Sequence, residues 1–374
     1  MNLKSVFTDK VNAAAVSSDA FRCIGCGERL YHNDGSMSCG TCSRKFEVRE
    51  GIPVLTEKER YWCNVPREVM SRLNSDAASG NWKDAIVRHL KGNVLDHVAN
   101  NKRIDFRYLL PSLNDKKVLD VGAMWGGITI PISRYAKEVY AVDTTYETLK
   151  FLAIRAAQEG RDNINAALAS AHKLPFGDGY FDVVLMIGVL EWLGSSYDFV
   201  VSEDYGKTGR RKLPKSPDPA SMQLKALSET LRVLKPGGIA LIAIENRLFY
   251  KHFFGYPDAH TAVPFSSILP RSLANLYMRL LKNKNYEEYT YSYNGYVKIL
   301  EKVGFKKLSF YAAMPSYREL EVLIPLDDAR HIRYYYENYG LRDVRGIKKL
   351  IPEAIAKLNM MKHFVPSFLI FAEK

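Results

Sequence analysis

The 374-residue sequence predicts an α/β protein, a largely parallel sheet wound with helices and preceded by a small cysteine-bearing β segment. Three observations predict it. From about residue 116, β-branched runs alternate with helix-length stretches, the pattern of βαβ units. Glycines follow the first run directly, in VLDVGAMWGG (118–127). Ahead of both, two Cys-x-x-Cys pairs, CIGC (23–26) and CGTC (39–42), lie in a turn-rich stretch.

Bulk properties agree with a folded chain of more than one domain. Hydrophobic residues at 47% and charged residues at 25% exclude a disordered or collagen-like protein. A net charge of +12 favours an anionic partner: nucleic acid, a phosphorylated compound or an acidic membrane surface. No run of 18 apolar residues occurs and the N-terminal stretch is too polar for a signal-peptide core, so a cytoplasmic location is expected.

Residues 1–20 read as a polar tail, 21–60 as a cysteine ribbon and 61–115 as a helical connector that packs on the sheet or lids a site. Residues 116–374 form the main domain. Its expected strands are 116–121, 138–143, 163–168, 181–188, 238–245, 306–313 and 367–374, with helices at about 126–136, 145–159, 219–234 and 294–303. Residues 202–219, rich in Pro, Gly and Lys, read as an exposed loop, and its basic portion 206–215 is a candidate nucleic-acid phosphate contact. The segment 344–371 mixes Lys with Ile, Leu and Met at helical spacing, which suits core packing or peripheral membrane contact.

Cys23, Cys26, Cys39 and Cys42 form two pairs twelve residues apart, and each pair holds a glycine that lets it turn tightly. Four thiolates at tetrahedral angles suit a structural zinc ion. Redox-active pairs and disulfides are the alternatives; the first wants a single pair on a βαβ unit and the second an oxidising compartment. Cys63 falls outside the pattern and reads as a bystander. The continuation RKFEVREGIPVL (44–55) resembles the small zinc-ribbon family that ends in an aromatic, alternating strand and a Gly-Ile-Pro turn. One branch of that family activates methyltransferases of tRNA and translation factors. The resemblance implies a structural ribbon and a docking surface.

The glycine loop lets backbone approach a ligand and opens onto a helix start, but it lacks the Gly-x-Gly-x-x-Gly spacing of a nicotinamide-dinucleotide site. About twenty residues on, VYAVD closes a strand with Asp143, placed to accept ribose hydroxyls. Further blocks are ALASAHKLPF (167–176), LPFGDGYFDVVLMIGVLEWL (174–193) and LSETLRVLKPGGIALIAIEN (227–246). In this order they resemble the class I S-adenosylmethionine-dependent methyltransferases over about residues 116–313. The resemblance implies a Rossmann-like seven-stranded sheet whose last strand is antiparallel, with insertions at about 246–292 and 314–366. It also implies that Asp120, Gly122, Ala123, Gly126 and Gly127 surround the methionine end of the cofactor and that Asp143 and Thr144 hold its ribose. Ser170 and Ala171 would pass the adenine, and Ile187 and Gly188 would lie beside the sulfonium. Two positions depart from the pattern: Met124 stands where a middle glycine is usual, and Ser170 where an Asp is common.

Acceptor chemistry is sought beyond the C-terminal strand ends. His172, Glu191, Asp258 and His260 are the catalytic candidates, with His260 or His172 as general base. The stretch 245–277 concentrates Glu245, Asn246, Arg247, His252, Asp258 and His260, and Arg247 suits a phosphate or carboxylate. This stretch and AAMPSYRE (312–319) resemble a methyltransferase subgroup that accompanies polysaccharide and glycan biosynthesis. The implied reaction is O-methylation of a saccharide or glycolipid, with Tyr317 and Arg318 facing the acceptor. The alternatives are an RNA methyltransferase and a non-catalytic adaptor with this fold.

Overall fold

The computed structural model describes residues 20–33, 35–195, 197–201, 208–212, 218–341 and 346–374. The chain packs as two compact units: residues 1–185, 196–215 and 232–238 form the first, and residues 186–195, 216–231 and 239–374 the second. The expected tail, at 1–20, lies almost wholly outside the described residues, as does half of the basic stretch 206–215.

In the first unit, short antiparallel strands β1 (Leu30–Asn33), β2 (Ser36–Cys39) and β3 (Lys45–Arg49) lead to β4 (Ile52–Leu55). The connector follows as helices α1 (Arg67–Ser79), α2 (Trp82–His89) and α3 (Val94–Ala99), then a 3-10 stretch, Asn101–Leu109. On α1 the buried residues Met70, Leu73, Asn74 and Ala77 recur at helical spacing. The Asn81 side chain caps α2 by accepting from the Lys83 N–H. The alternating half then runs β5 (Lys117–Val121), α4 (Thr129–Ile132), β6 (Glu138–Asp143), α5 (Tyr146–Gln158), β7 (Ile164–Ala169) and β8 (Phe181–Ile187), whose last two residues belong to the second unit. Their order across the sheet is β4-β7-β6-β5-β8, with these neighbours parallel. β9 (Tyr197–Val201) and β10 (Thr208–Lys212) pair as a hairpin, so the 202–219 stretch expected to be an exposed loop contains one strand, β10.

The second unit holds α6 (Pro219–Val233), the residues of β11 (Leu234–Glu245) from Ile239 onward, α7 (Arg271–Lys282), α8 (Tyr293–Val303), β12 (Lys307–Pro315) and β13 (Leu320–Pro325). Two helices, α9 (Ala329–Tyr335) and α10 (Ile347–Lys357), precede the last strand, β14 (Ser367–Glu373). That strand runs antiparallel between β11 and β12, as expected of a final strand in this fold, and β13 adds to the edge of β12.

The seven main-domain strands expected from sequence are all present, but the sheets are larger. The ribbon ends in a strand that joins β7 directly, Val54 opposite Leu168 and Leu55 opposite Ala169, and β13 is an additional edge strand. The helix expected at 126–136 is cut to four residues, because positive φ at Met124 and Gly126 keeps the chain in a turn until Thr129. Among the described residues no helix is long and apolar enough to cross a membrane.

Ile52 is 2% exposed and packs with Ala123, Ala141, Leu149, Leu152 and Leu168, which fastens the ribbon to the sheet core. Ile52→Ala is expected to lower the unfolding free energy by about 2–4 kcal/mol in a denaturant titration, through lost burial and the cavity left behind. A second prediction concerns Asp120, which is 2% exposed and accepts a 2.6 Å hydrogen bond from the Thr129 hydroxyl. Burial pushes its carboxyl up to about 6 from an ordinary 3.8, against the opposing pull of Thr129 and Arg103. The folded chain therefore binds the extra proton between those values. This contribution is complete below about pH 4 and fades as the pH rises to 6, by roughly 3 kcal/mol. Relative to wild type, Asp120→Asn should flatten stability against pH across that window in urea titrations.

Candidate functional site

The first unit builds its site at the carboxyl ends of β5 and β6. After Val121 the chain turns through Gly122, whose N–H and that of Ala123 donate to the Val142 carbonyl at 2.8 and 3.1 Å. Gly122, Met124 and Gly126 all have positive φ, at 78°, 43° and 75°. Met124 thus occupies the left-handed region that glycine reaches without steric cost, which explains why a glycine suits this position. A side chain at Gly126 would meet Ile130 and Leu152 at about 3 Å, so the loop lies tight against its own helix and α5.

Asp143 closes β6. It is 8% exposed, and its two carboxylate oxygens accept from the Met124 and Thr145 N–H groups, each at 2.9 Å. Burial raises its pKa, while those N–H groups and that of Thr144 oppose the rise. The start of the connector is strapped beside it: the Arg60 N–H donates to the Thr144 carbonyl and the Trp62 N–H to the Thr145 hydroxyl. Trp125 of the loop packs with Met70, Leu73, Trp82 and Phe151, and the buried Cys63 belongs to the same cluster. Arg155, 2% exposed, donates to the carbonyls of Val98, Trp125 and Gly126, tying connector to loop. Its role went unread in the sequence, although an Arg inside the apolar face of YETLKFLAIRAAQ was a signal for it.

Ser170 and Ala171 follow β7. The Ser170 hydroxyl accepts from the His172 N–H and stands 3.2 Å from His172 Nδ1. Of the catalytic candidates, His172 alone belongs to the first unit. All five cysteines are thiols, and the four of the ribbon, Cys23, Cys26, Cys39 and Cys42, converge: their Sγ atoms lie within 4.8 Å of one another. The pairs Cys23–Cys42 and Cys26–Cys39 approach to 3.5 and 3.4 Å.

The second unit brings three of the four catalytic candidates together. His260, 5% exposed, is surrounded by carboxylates: Nε2 stands 3.6 Å from Glu191 Oε1 and 3.4 Å from Glu245 Oε2, and Nδ1 stands 3.6 Å from Asp258 Oδ1. Burial works against charging the ring, but Glu245, Asp258 and Glu191 outweigh it and hold the ring's pKa well above 6.5. Burial also works to raise Asp258, yet the ring and the N–H groups of His260 and Thr261 hold it at about 2. Glu191 is fully buried and raised, chiefly by burial.

Glu191 is positioned by α6, where Gln223 donates to the Leu190 carbonyl, and Trp192 meets the His260 ring edge-on at 5.0 Å. Glu245 ends β11 and is held by Tyr317 and Arg318: the tyrosine hydroxyl donates to Oε1 at 3.2 Å and the guanidinium pairs with the same oxygen at 3.2 Å. Glu245 was noted in the sequence within the 245–277 stretch but not among the catalytic candidates; its place at a strand end, the feature that marked Asp143, was the available signal. Ile187 and Gly188 also belong to this unit, and a side chain at Gly188 would meet the Tyr317 hydroxyl at 2.7 Å. Arg247, expected to take an anion, donates instead to the carbonyls of Ser267 and Leu269, so it organises the insertion. His252 is likewise engaged, with the Tyr256 carbonyl.

Residues 119–205 match a family described as "Methyltransferase domain". A ubiquinone biosynthesis O-methyltransferase of Caulobacter vibrioides is 28% identical over 130 residues, which cover 35% of this chain and 41% of that protein. An uncharacterized methyltransferase of Bacillus subtilis is 33% identical over 70 residues, covering 19% and 28%. The chain thus spans less than half the length of these curated relatives. Among solved structures, a phosphoethanolamine N-methyltransferase 2 of Haemonchus contortus is similar at 16% identity and a TM-score of 0.43, covering 81% of this chain and 60% of that one. Over residues 119–205 the chain therefore carries a methyltransferase domain.

Proposed function

We propose that the chain transfers a methyl group from S-adenosylmethionine to an acceptor hydroxyl. The observation that carries this reading is Asp143. Its carboxylate is buried at the end of β6, against the loop that follows β5, and two backbone N–H groups fix its orientation. A carboxylate offers about four acceptor sites, so two remain for a ribose diol. Gly122, Ala123 and Gly126 let backbone approach the methionine end, and Thr144, Ser170 and Ala171 complete the first unit's part of the proposed cofactor set. Asp120 acts by shaping the loop through Thr129.

Methyl transfer from a sulfonium is an in-line displacement, so the protein's work is to position the partners and exclude water. An oxygen acceptor is supported by relatives named as O-methyltransferases that match a third or more of this chain. The saccharide acceptor rests on the resemblance of the 245–277 and 312–319 stretches alone. We assign acceptor activation to the second unit's cluster of Glu191, Glu245, Asp258 and His260, and we assign a structural zinc ion to the four ribbon cysteines. Their donor type and convergence fit that ion.

Two measurements test these assignments. Asp143→Ala should weaken S-adenosylmethionine binding at least about a hundredfold in calorimetry, the loss expected for hydrogen bonds to a charged acceptor; undiminished affinity would refute the cofactor site. For the ribbon, the Co²⁺-substituted chain should show a thiolate-to-metal charge-transfer band that Cys39→Ser weakens, together with a lower melting temperature in that variant. A chain without the band contradicts the four-cysteine site.

A further inference from the structure

We infer that Glu191, Glu245 and His260 form a binding site for a divalent transition-metal ion, with Asp258 orienting the imidazole from behind. The three donor atoms lie within 4.8 Å of one another. The ring nitrogen's separations from the two carboxylates, 3.6 and 3.4 Å, exceed the roughly 2.7–3.2 Å of an N–H···O hydrogen bond. They match ligands sharing one ion, since bonds of 2.0–2.2 Å at tetrahedral angles set donor atoms about 3.4 Å apart.

A second observation points the same way. Neither oxygen of the fully buried Glu191 carboxylate, nor Oε2 of Glu245, accepts a hydrogen bond. A buried carboxylate left in that condition is destabilising unless another charge satisfies it. Charge balance agrees. Once the ring has given up its proton to ligate an ion, the carboxylates of Glu191, Glu245 and Asp258 stand against the single guanidinium of Arg318, leaving two negative charges for a divalent ion to neutralise. Asp258 beside Nδ1 is the carboxylate that metal-bound histidines characteristically carry on their far nitrogen.

One imidazole and two carboxylates suit ions of intermediate hardness such as Mn²⁺, Fe²⁺ or Zn²⁺, and three protein ligands leave a position open. On the methyl-transfer reading, that position receives the acceptor oxygen, and the ion lowers its pKa in place of a general base. This role rests on the proposed function; the metal site itself does not.

The test is Mn²⁺ binding to the full-length chain by electron paramagnetic resonance, because thiolates of the ribbon do not select Mn²⁺. One Mn²⁺ should bind per chain, with electron spin-echo modulation from a directly bonded ¹⁴N. His260→Gln should lose that modulation, Glu191→Gln should lose binding, and Asp258→Asn should weaken it about 10–100-fold. Cys39→Ser should leave the stoichiometry unchanged. A wild-type chain that binds no Mn²⁺, or binds it without nitrogen coupling, overturns the site whatever the variants do. Calorimetry of S-adenosylmethionine on the same protein separates the two readings: lost cofactor binding with intact Mn²⁺ binding defeats the methyltransferase proposal alone.

Discussion

A buried carboxylate must find donors, and the architecture of the first unit turns on how Asp143 finds them. The β6 strand delivers the side chain to an 8%-exposed position, and the Met124 and Thr145 N–H groups are what meet it there. To present the Met124 N–H, the loop after β5 must fold back over the end of β6. That path forces positive φ at three of its first five residues and delays α4 until Thr129. The loop then needs support of its own. Arg155 supplies it by binding two loop carbonyls, and Trp125 by inserting among α1, α2 and α5. The connector is thus part of what holds the loop in shape rather than a spacer between ribbon and sheet.

The second unit solves the same problem with charge. Three carboxylates and an imidazole are gathered, with Glu191, Asp258 and His260 buried and Glu245 partly so, and three elements bring them there: a 3-10 turn for Glu191, the end of β11 for Glu245, and the insertion for Asp258 and His260. The neighbouring polar residues serve this arrangement. Gln223 fixes the turn that bears Glu191, while Tyr317 and Arg318 hold one oxygen of Glu245 and leave the other directed at His260. Arg247 and Asn246, the most anion-like and amide-like binders in the sequence, are engaged with backbone carbonyls that give the insertion its course. Polar residues in a long insertion must first satisfy that insertion's own backbone.

This explains which features were legible in the sequence. Strands β5 to β8, β11, β12 and β14 were readable because both faces of such strands are covered and the runs are continuously apolar. The convergence of the ribbon's thiols and the place of Asp143 at a strand end were readable because both depend on local spacing. Glu245 was not, since its meaning comes from Tyr317, Arg318 and His260, which lie far along the chain. The same holds for Arg155, whose partners are carbonyls of α3 and the loop and have no sequence signature. β13 and the 197–212 hairpin escaped notice because edge and hairpin strands need no continuous apolar run.

The ribbon's attachment carries the last consequence. An exposed strand edge invites pairing with other chains, and small cysteine ribbons seldom have enough core to be stable unaided. Pairing β4 with β7 in parallel answers both needs: the edge of β7 is covered, and Ile52 gains a place among Ala141, Leu149, Leu152 and Leu168. Since Ala123 of the glycine loop belongs to the same cluster, the ribbon bears on the loop's packing through one contiguous core. The ribbon that the four cysteines gather therefore shares one core with the glycine loop through β4, and a reactive thiol is not needed to account for their place in the chain.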